Sequence, residues 1–528
     1  MTRFLRTFLA AGLMLAAAPI THAQAQAQAP AKDHARIEET MKRATRFMVE
    51  KASLNGGYVW SYLPDMSRRW GEMEAYPTMI WVQPPGTPTM GHLFLDAYHA
   101  TGDEYYYQAA EKAANALIAI QLESGGWHYF GDFGGEASTK RWYDTIGKNA
   151  WRLEEFQHYW GNATFDDAGT SEAMQFLLRL YVEKHDPKYL PALKKAQSFV
   201  LESQYPIGGW PQRWPAHPSF TGDYTGYITF NDDVAGENIK FLIYCYQALG
   251  GDSRVYDAII RAMNVYLVTQ QAAPQAGWAL QYTLDLKPAA ARTYEPLGLA
   301  SHTTASNIRA LMGFYRLTGD AKFLSRIPEA LDWLDSIRLP GITGTKAYPT
   351  FTEIGTGRPI YVHRRGSNVV NGSYYADYDS KDTLGHYSAL RDVDVPALRK
   401  EYEALKATPG DVVSKDSPLK PGAAHPLPRY FIVEGDRTSD LNTDRAAKNA
   451  AGLIGALNKQ GYWPTPLRGT SNPYIGDGSA TPAPGDFRTT RVGDASDTSP
   501  YYSDKPVIGI STGTYVENMA ALIQALGN

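Results

Sequence analysis

The densest run of chemistry-bearing residues in the chain is Thr229-Phe230-Asn231-Asp232-Asp233. Three adjacent oxygen donors suit a hard cation such as calcium, which can fill the rest of its shell with a ligand carboxylate. A helix start explains one acidic residue there but not two. Asp232 and Asp233 therefore read as metal ligands, with Asn231 beside them as a polar contact. A partial copy, Thr164-Phe165-Asp166-Asp167, stands 65 residues earlier; it reads first as a helix-start signal and second as another acidic group on the same cleft. Trp210, Gln212, Arg213 and Tyr227 lead into the main run, and flat aromatic faces next to polar groups suit an amphipathic ligand. The cations that could answer these carboxylates are Arg292, Arg358, and the doublet Arg364-Arg365 beside His363. Arg292 reads equally as a partner of Glu295, and His363 titrates near neutral pH and could move a proton.

These groups need elements to place them, and the chain supplies a repeating one. Asp103, Asp186, Asp252 and Asp320, at intervals of 83, 66 and 68 residues, each open a segment with helical apolar spacing. An aspartate there accepts from the free N–H groups of the first turn, so these four are helix caps. The helices stop at a second phrase: Gly56-Gly57-Tyr58, Gly125-Gly126-Trp127, Gly208-Gly209-Trp210, Gly277-Trp278 and Gly461-Tyr462-Trp463. Glycine gives the left-handed stop. A long polar loop and another helix follow each time, clearest over 170–183, 233–249, 303–317 and 514–526. Helical hairpins repeated at this period stack side by side with their loops on one face. The expected fold is all-α, an α/α toroid of about six hairpins, with the binding cleft on the loop face.

Composition narrows the setting. Arg3 and Arg6, an apolar run over 8–20, and Thr21-His22-Ala23 read as a signal peptide over residues 1–23, which predicts a secreted or periplasmic protein. Residues 24–32 alternate Ala and Gln and read as a disordered leader, so folding is expected over 33–528 as one toroid. The formal charge is −4, a mild acidity that gives no field for nucleic acid or anionic membranes, and a monomer is expected. A polyanionic ligand would need local cations. Cys245 is the single cysteine, so no intramolecular disulfide can form. The 12 Trp and 35 Tyr residues are enough to line both a core and a groove.

Several phrases stand together in one order: Gly208-Gly209-Trp210-Pro211-Gln212, Tyr227 to Asp233, Gly277-Trp278 with Gln281, Ala291 to Pro296, and Glu353 to Ile360. Over about residues 190–365 the chain resembles family 10 pectate lyases. The resemblance implies an α/α toroid that cleaves acidic polysaccharide, galacturonan, by calcium-assisted β-elimination with an arginine as base. It also implies Asp232 as a calcium ligand, with Asn231 and Asp233 its neighbours. Two positions depart from the family pattern. Thr283 stands where a second acidic ligand is expected, and Thr350 where an arginine is expected, which makes Arg292, Arg358 and Arg364 the replacement candidates for the base. Arg365 and His363 then serve the substrate carboxylate. Two other classes fit the same toroid: a glycoside hydrolase using an Asp pair, and a glycan-binding protein without turnover.

Overall fold

The computed structural model describes residues 31–147, 154–216, 223–364, 374–381, 383, 388–420, 425–433, 449–467 and 508–527. The expected signal, the expected leader as far as residue 30, and Arg365 lie outside them, and the first helix already begins at Ala31, two residues before the expected start of folding. The helices are α1 (Ala31–Phe47), α2 (Thr87–Thr101), α3 (Glu104–Ala119), α4 (Glu136–Thr145), α5 (Gly169–Lys184), α6 (Leu190–Ser203), α7 (Val234–Ala248), α8 (Ser253–Thr269), α9 (Ser301–Thr318), α10 (Ile327–Ile337), α11 (Val395–Lys406), α12 (Gly410–Val413), α13 (Ala450–Ala456) and α14 (Thr512–Ala525). The fold is an α/α toroid. Helices α14, α2, α5 and α7 pack in succession as an inner wall, and α3, α6 and α8 flank them outside. The last helix closes on the first unit: α14 packs on α1 and α2, the strand Ile508–Ser511 pairs with Ser61–Tyr62, and Thr45 Oγ1 lies 2.7 Å from the Tyr515 hydroxyl.

Local chemistry explains the repeat. Asp103, Asp186, Asp252 and Asp320 each accept a backbone N–H two residues on, as expected of caps. The Gly-aromatic phrases do more than stop helices. The indole N–H groups of Trp127, Trp210, Trp278 and Trp463 donate to carbonyls of Leu117, Val200, Tyr266 and Leu453 in the helix before, at 2.8 to 3.0 Å. Each tryptophan donates to a carbonyl in the last turn of its helix, where intrahelical partners run out. Gly208, at φ +112°, brings its turn so close to α8 that a Cβ would meet Arg261 O at 2.1 Å. Inner helices then pin these turns from beyond: Thr170 Oγ1 meets Trp127 N at 3.0 Å, and Thr304 Oγ1 meets Trp278 N at 3.0 Å.

Short antiparallel strands tie neighbouring loops together at the N-terminal ends of the inner helices. Ala163–Thr164 pairs with Arg213–Trp214, Ile228–Thr229 with Gln281–Tyr282, and Leu299–Ala300 with Phe351–Thr352, which continues into Pro359–Arg364 and Tyr374–Asp377. This face carries the acidic runs. At the C-terminal ends of α2 and α5, buried Asp96 accepts the N–H groups of Phe431, Ile432 and Val433 and pairs with Arg179 at 2.6 Å, so a later segment is bound to the opposite end of the ring.

Candidate functional site: a carboxylate cluster around Arg292

The two acidic runs reach the same place by the same backbone device. Before α5 the chain turns through Asp167 and Ala168 at φ 49° and 54°; before α7 it turns through Asp232 and Asp233 at φ 52° and 52°. Two successive left-handed residues that are not glycine are costly and persist only where surrounding structure holds them. The paired turns lie against each other and bring single oxygens of Asp166, Asp167 and Asp232 all within 4.8 Å of one another. The Thr-Phe echo was the sequence signal for this, and its meaning differs from the first reading: Asp166 and Asp167 belong to the cluster. Asp233 does not. Its carboxylate lies over the first turn of α7, where a Cβ at Gly236 would sit 2.3 Å from Oδ1. There it keeps accessible surface although protein surrounds it on most sides, and desolvation, then Glu237, raises its pKa to about 7. The expectation of Asp233 as a metal ligand is corrected on this geometry.

Arg292 is the hub. Its guanidinium is 4% exposed and meets Asp166 at 2.5 Å, Glu295 Oε1 at 3.1 Å, Glu155 at 3.4 Å and Asp232 at 3.9 Å. Glu295 also accepts the Arg292 backbone N–H at 2.8 Å and a proton of the Asn231 amide at 3.2 Å, and that amide donates to Asp232 at 2.7 Å. Burial alone would favour loss of the arginine's charge, yet Asp166, Tyr294, Glu295 and Glu155 outweigh it and hold the pKa well above the ordinary value. This opposes the expected role as a base, because proton abstraction requires a neutral guanidine. Burial likewise pushes Asp166 up, but Arg292 and the bonds from Tyr129 and Gln212 hold it below the usual carboxylate range.

Glu155 behaves differently. Burial, only partly offset by Arg292, raises its pKa to about 8. The folded protein therefore binds a proton at Glu155 that the unfolded chain has released, and this contribution to stability is present below the ordinary carboxylate pKa and lost as pH rises through about 8. Glu155→Gln, which mimics the protonated form, is expected to melt like the parent at pH 4 and at a higher temperature than the parent at pH 9. Thermal melts at the two pH values check it.

The remaining expected residues separate. Gln212 is buried and reaches Asp166. Tyr227 is half-buried at the strand entering the acidic turn. Trp210 is fully buried with its indole spent on Val200, so substrate contact is corrected to a helix-end role. Arg213 is buried as well, donating to Glu155 O at 3.0 Å with its guanidinium 5.2 Å from the Tyr129 ring; it supports the site from behind. Arg358 is exposed and stacks 3.5 Å over Tyr378, whose hydroxyl donates to Glu353, on a hairpin docked against Gln275. None of these contacts is with the cluster. His363 is buried, 2.9 Å from Asp377 and stacked on Tyr375, so it is not presented to the face as expected. Arg364 ends that strand opposite Tyr374; its side chain, like Arg365, is outside the described residues. Thr350 is buried and its hydroxyl donates to Ser388 O. Thr283 donates to Asp285 at 2.5 Å on an exposed turn.

Residues 131–388 match the family model described as pectic acid lyase. Over that segment the chain is similar to pectic acid lyases. This likeness supports a polysaccharide lyase that acts on a uronic-acid polymer. The lyase segment contains Glu155, Asp166, Asp167, Asp232, Arg292 and Glu295, so the whole hub falls inside it, whereas Tyr129, Gln83 and Glu72 lie before it. Among solved structures, a family 10 polysaccharide lyase from Cellvibrio cellulosa is 20% identical over 51% of this chain and 84% of its own, with a TM-score of 0.36. A mutant of that enzyme in complex with trigalaturonic acid gives 20% identity over 55% and 89%, with a TM-score of 0.37. An α-1,6-mannanase of Salegentibacter sp. HEL1_6 is 12% identical over 94% of this chain and 98% of its own, with a TM-score of 0.37. No curated protein matches the sequence.

Proposed function

We propose that the chain cleaves a polygalacturonate-type polymer by calcium-assisted β-elimination, with the cation held by Asp166, Asp167 and Asp232. One observation carries this reading: single oxygens of three carboxylates lie within 4.8 Å of one another, beside the Arg292 guanidinium that pairs with Asp166 and Asp232. Asp166 Oδ1 is buried and has no hydrogen-bond partner, which fits an oxygen reserved for a ligand. A hard divalent ion suits such a donor set.

The residues then divide the chemistry. The C5 hydrogen of a uronate is very weakly acidic until positive charge offsets the C6 carboxylate, and a bound calcium ion would supply that charge. Arg292, held cationic and buried, keeps Asp166 and Glu295 in place and limits the repulsion among the carboxylates. Asn231, through its bonds to Asp232 and Glu295, fixes Asp232 Oδ2 beside Arg292. Proton abstraction falls to a group outside this cluster. Export through the reading of residues 1–23 belongs to the same proposal.

The test is absorbance near 235 nm, where an unsaturated uronate product absorbs and a hydrolysis product does not. Purified protein with polygalacturonate and calcium is expected to give a steady rise that EDTA stops and added calcium restores. Reducing ends released with no rise in absorbance would instead establish hydrolysis and remove the lyase mechanism.

A further inference from the structure

Gln83 lies before the lyase segment, in the N-terminal unit, and is 1% exposed. Its side-chain nitrogen donates to Asp167 Oδ2 at 2.6 Å and to Glu72 Oε2 at 3.0 Å, so both amide hydrogens are used on carboxylates. Its carbonyl oxygen accepts the indole N–H of buried Trp81 at 2.6 Å, and its backbone oxygen accepts that of Trp60 at 3.0 Å. The amide has one workable orientation. A flip would set its oxygen against two carboxylates and its N–H groups against an indole N–H. Trp81 is itself immobile, fully buried and stacked on Phe130 with ring centroids 5.0 Å apart.

We propose that Gln83 is a positioning residue of the cation site: clamped by Trp81, it orients the Asp167 carboxylate and joins Glu72 of the N-terminal unit to it. The inference rests on the reading of Asp166, Asp167 and Asp232 as cation ligands. Asp167 sits in a left-handed turn, and there the Gln83 amide holds its Oδ2. Partners of this kind usually change metal affinity about 10–100-fold when removed.

Terbium binding, read by luminescence sensitised through tryptophan and confirmed with calcium by calorimetry, tests this without turnover. Gln83→Leu is expected to weaken binding about 10–100-fold, read at a temperature where a thermal melt shows the variant folded. In an Asp167→Asn background the same substitution should change nothing further, because the group it orients is already lost. Trp81→Phe, which keeps Gln83 but frees its amide, should weaken binding in the same direction by less, and it serves as the readout if Gln83→Leu fails to fold. Wild-type binding in Gln83→Leu, or a loss of equal size in the Asp167→Asn background, overturns the role of Gln83 while leaving the cation site intact. Absence of terbium and calcium binding in the wild type overturns the cation site itself.

Discussion

Asp232→Asn is expected to fold normally and to lose about 10²–10³-fold or more in kcat/KM on polygalacturonate, the scale of removing one group that stabilises developing charge. Asparagine is the informative replacement. It tolerates the left-handed backbone that Asp232 occupies at φ 52°, so the turn before α7 survives, and only the charge and one acceptor oxygen go. The side chain is 22% exposed, which leaves room for an ion and a substrate carboxylate to reach it and little packing to disturb. The readout is the rate of absorbance rise at saturating calcium together with a thermal melt. Turnover near the parent rate would remove Asp232 from the site, and with it the cluster as the seat of the reaction.

Arg292→Ala should act on stability before it acts on rate. It removes the cation shared by Asp166, Glu155 and Glu295, and breaking a buried pair from one side typically costs about 3–5 kcal/mol because the other charges remain buried. Unlike a simple cavity mutant, this variant should respond to conditions. Without Arg292 the carboxylates lose the partner that holds Asp166 low, so they take up protons more readily in the folded state. The penalty is then larger at pH 8 than at pH 5. Calcium should recover part of the loss by binding the folded state and supplying positive charge at the same place. Urea melts at the two pH values, with and without calcium, measure all of this. A variant as stable as the parent at pH 8 in EDTA would show that Arg292 is not what balances the cluster.

Much of this architecture is legible along the chain. The four aspartate caps are local devices, satisfied by N–H groups two residues away, and no tertiary contact is needed to read them. The Gly-aromatic phrases mark the helix ends correctly, but three of their tryptophans are fully buried donors to the preceding helix. Chemistry alone cannot separate that use from sugar stacking, since the same indole serves either. The echo of Thr-Phe-Asp-Asp in Thr-Phe-Asn-Asp-Asp was visible too. Whether it meant two caps or one site depended on how closely α5 and α7 stack.

What residue order determines here is the periodic part: helix starts and stops, the hairpin unit, and the acid-rich character of the loops on one face. These follow from backbone hydrogen bonding and hydrophobic spacing, which act over a few residues. Only the assembled ring decided that Asp167 and not Asp233 joins Asp166 and Asp232, that Arg292 is locked among carboxylates, and that Gln83 and Glu72 reach in from the N-terminal unit. Those outcomes depend on distances of a few ångströms between residues 60 to 130 positions apart, and electrostatic energy in a buried site changes steeply over just that range.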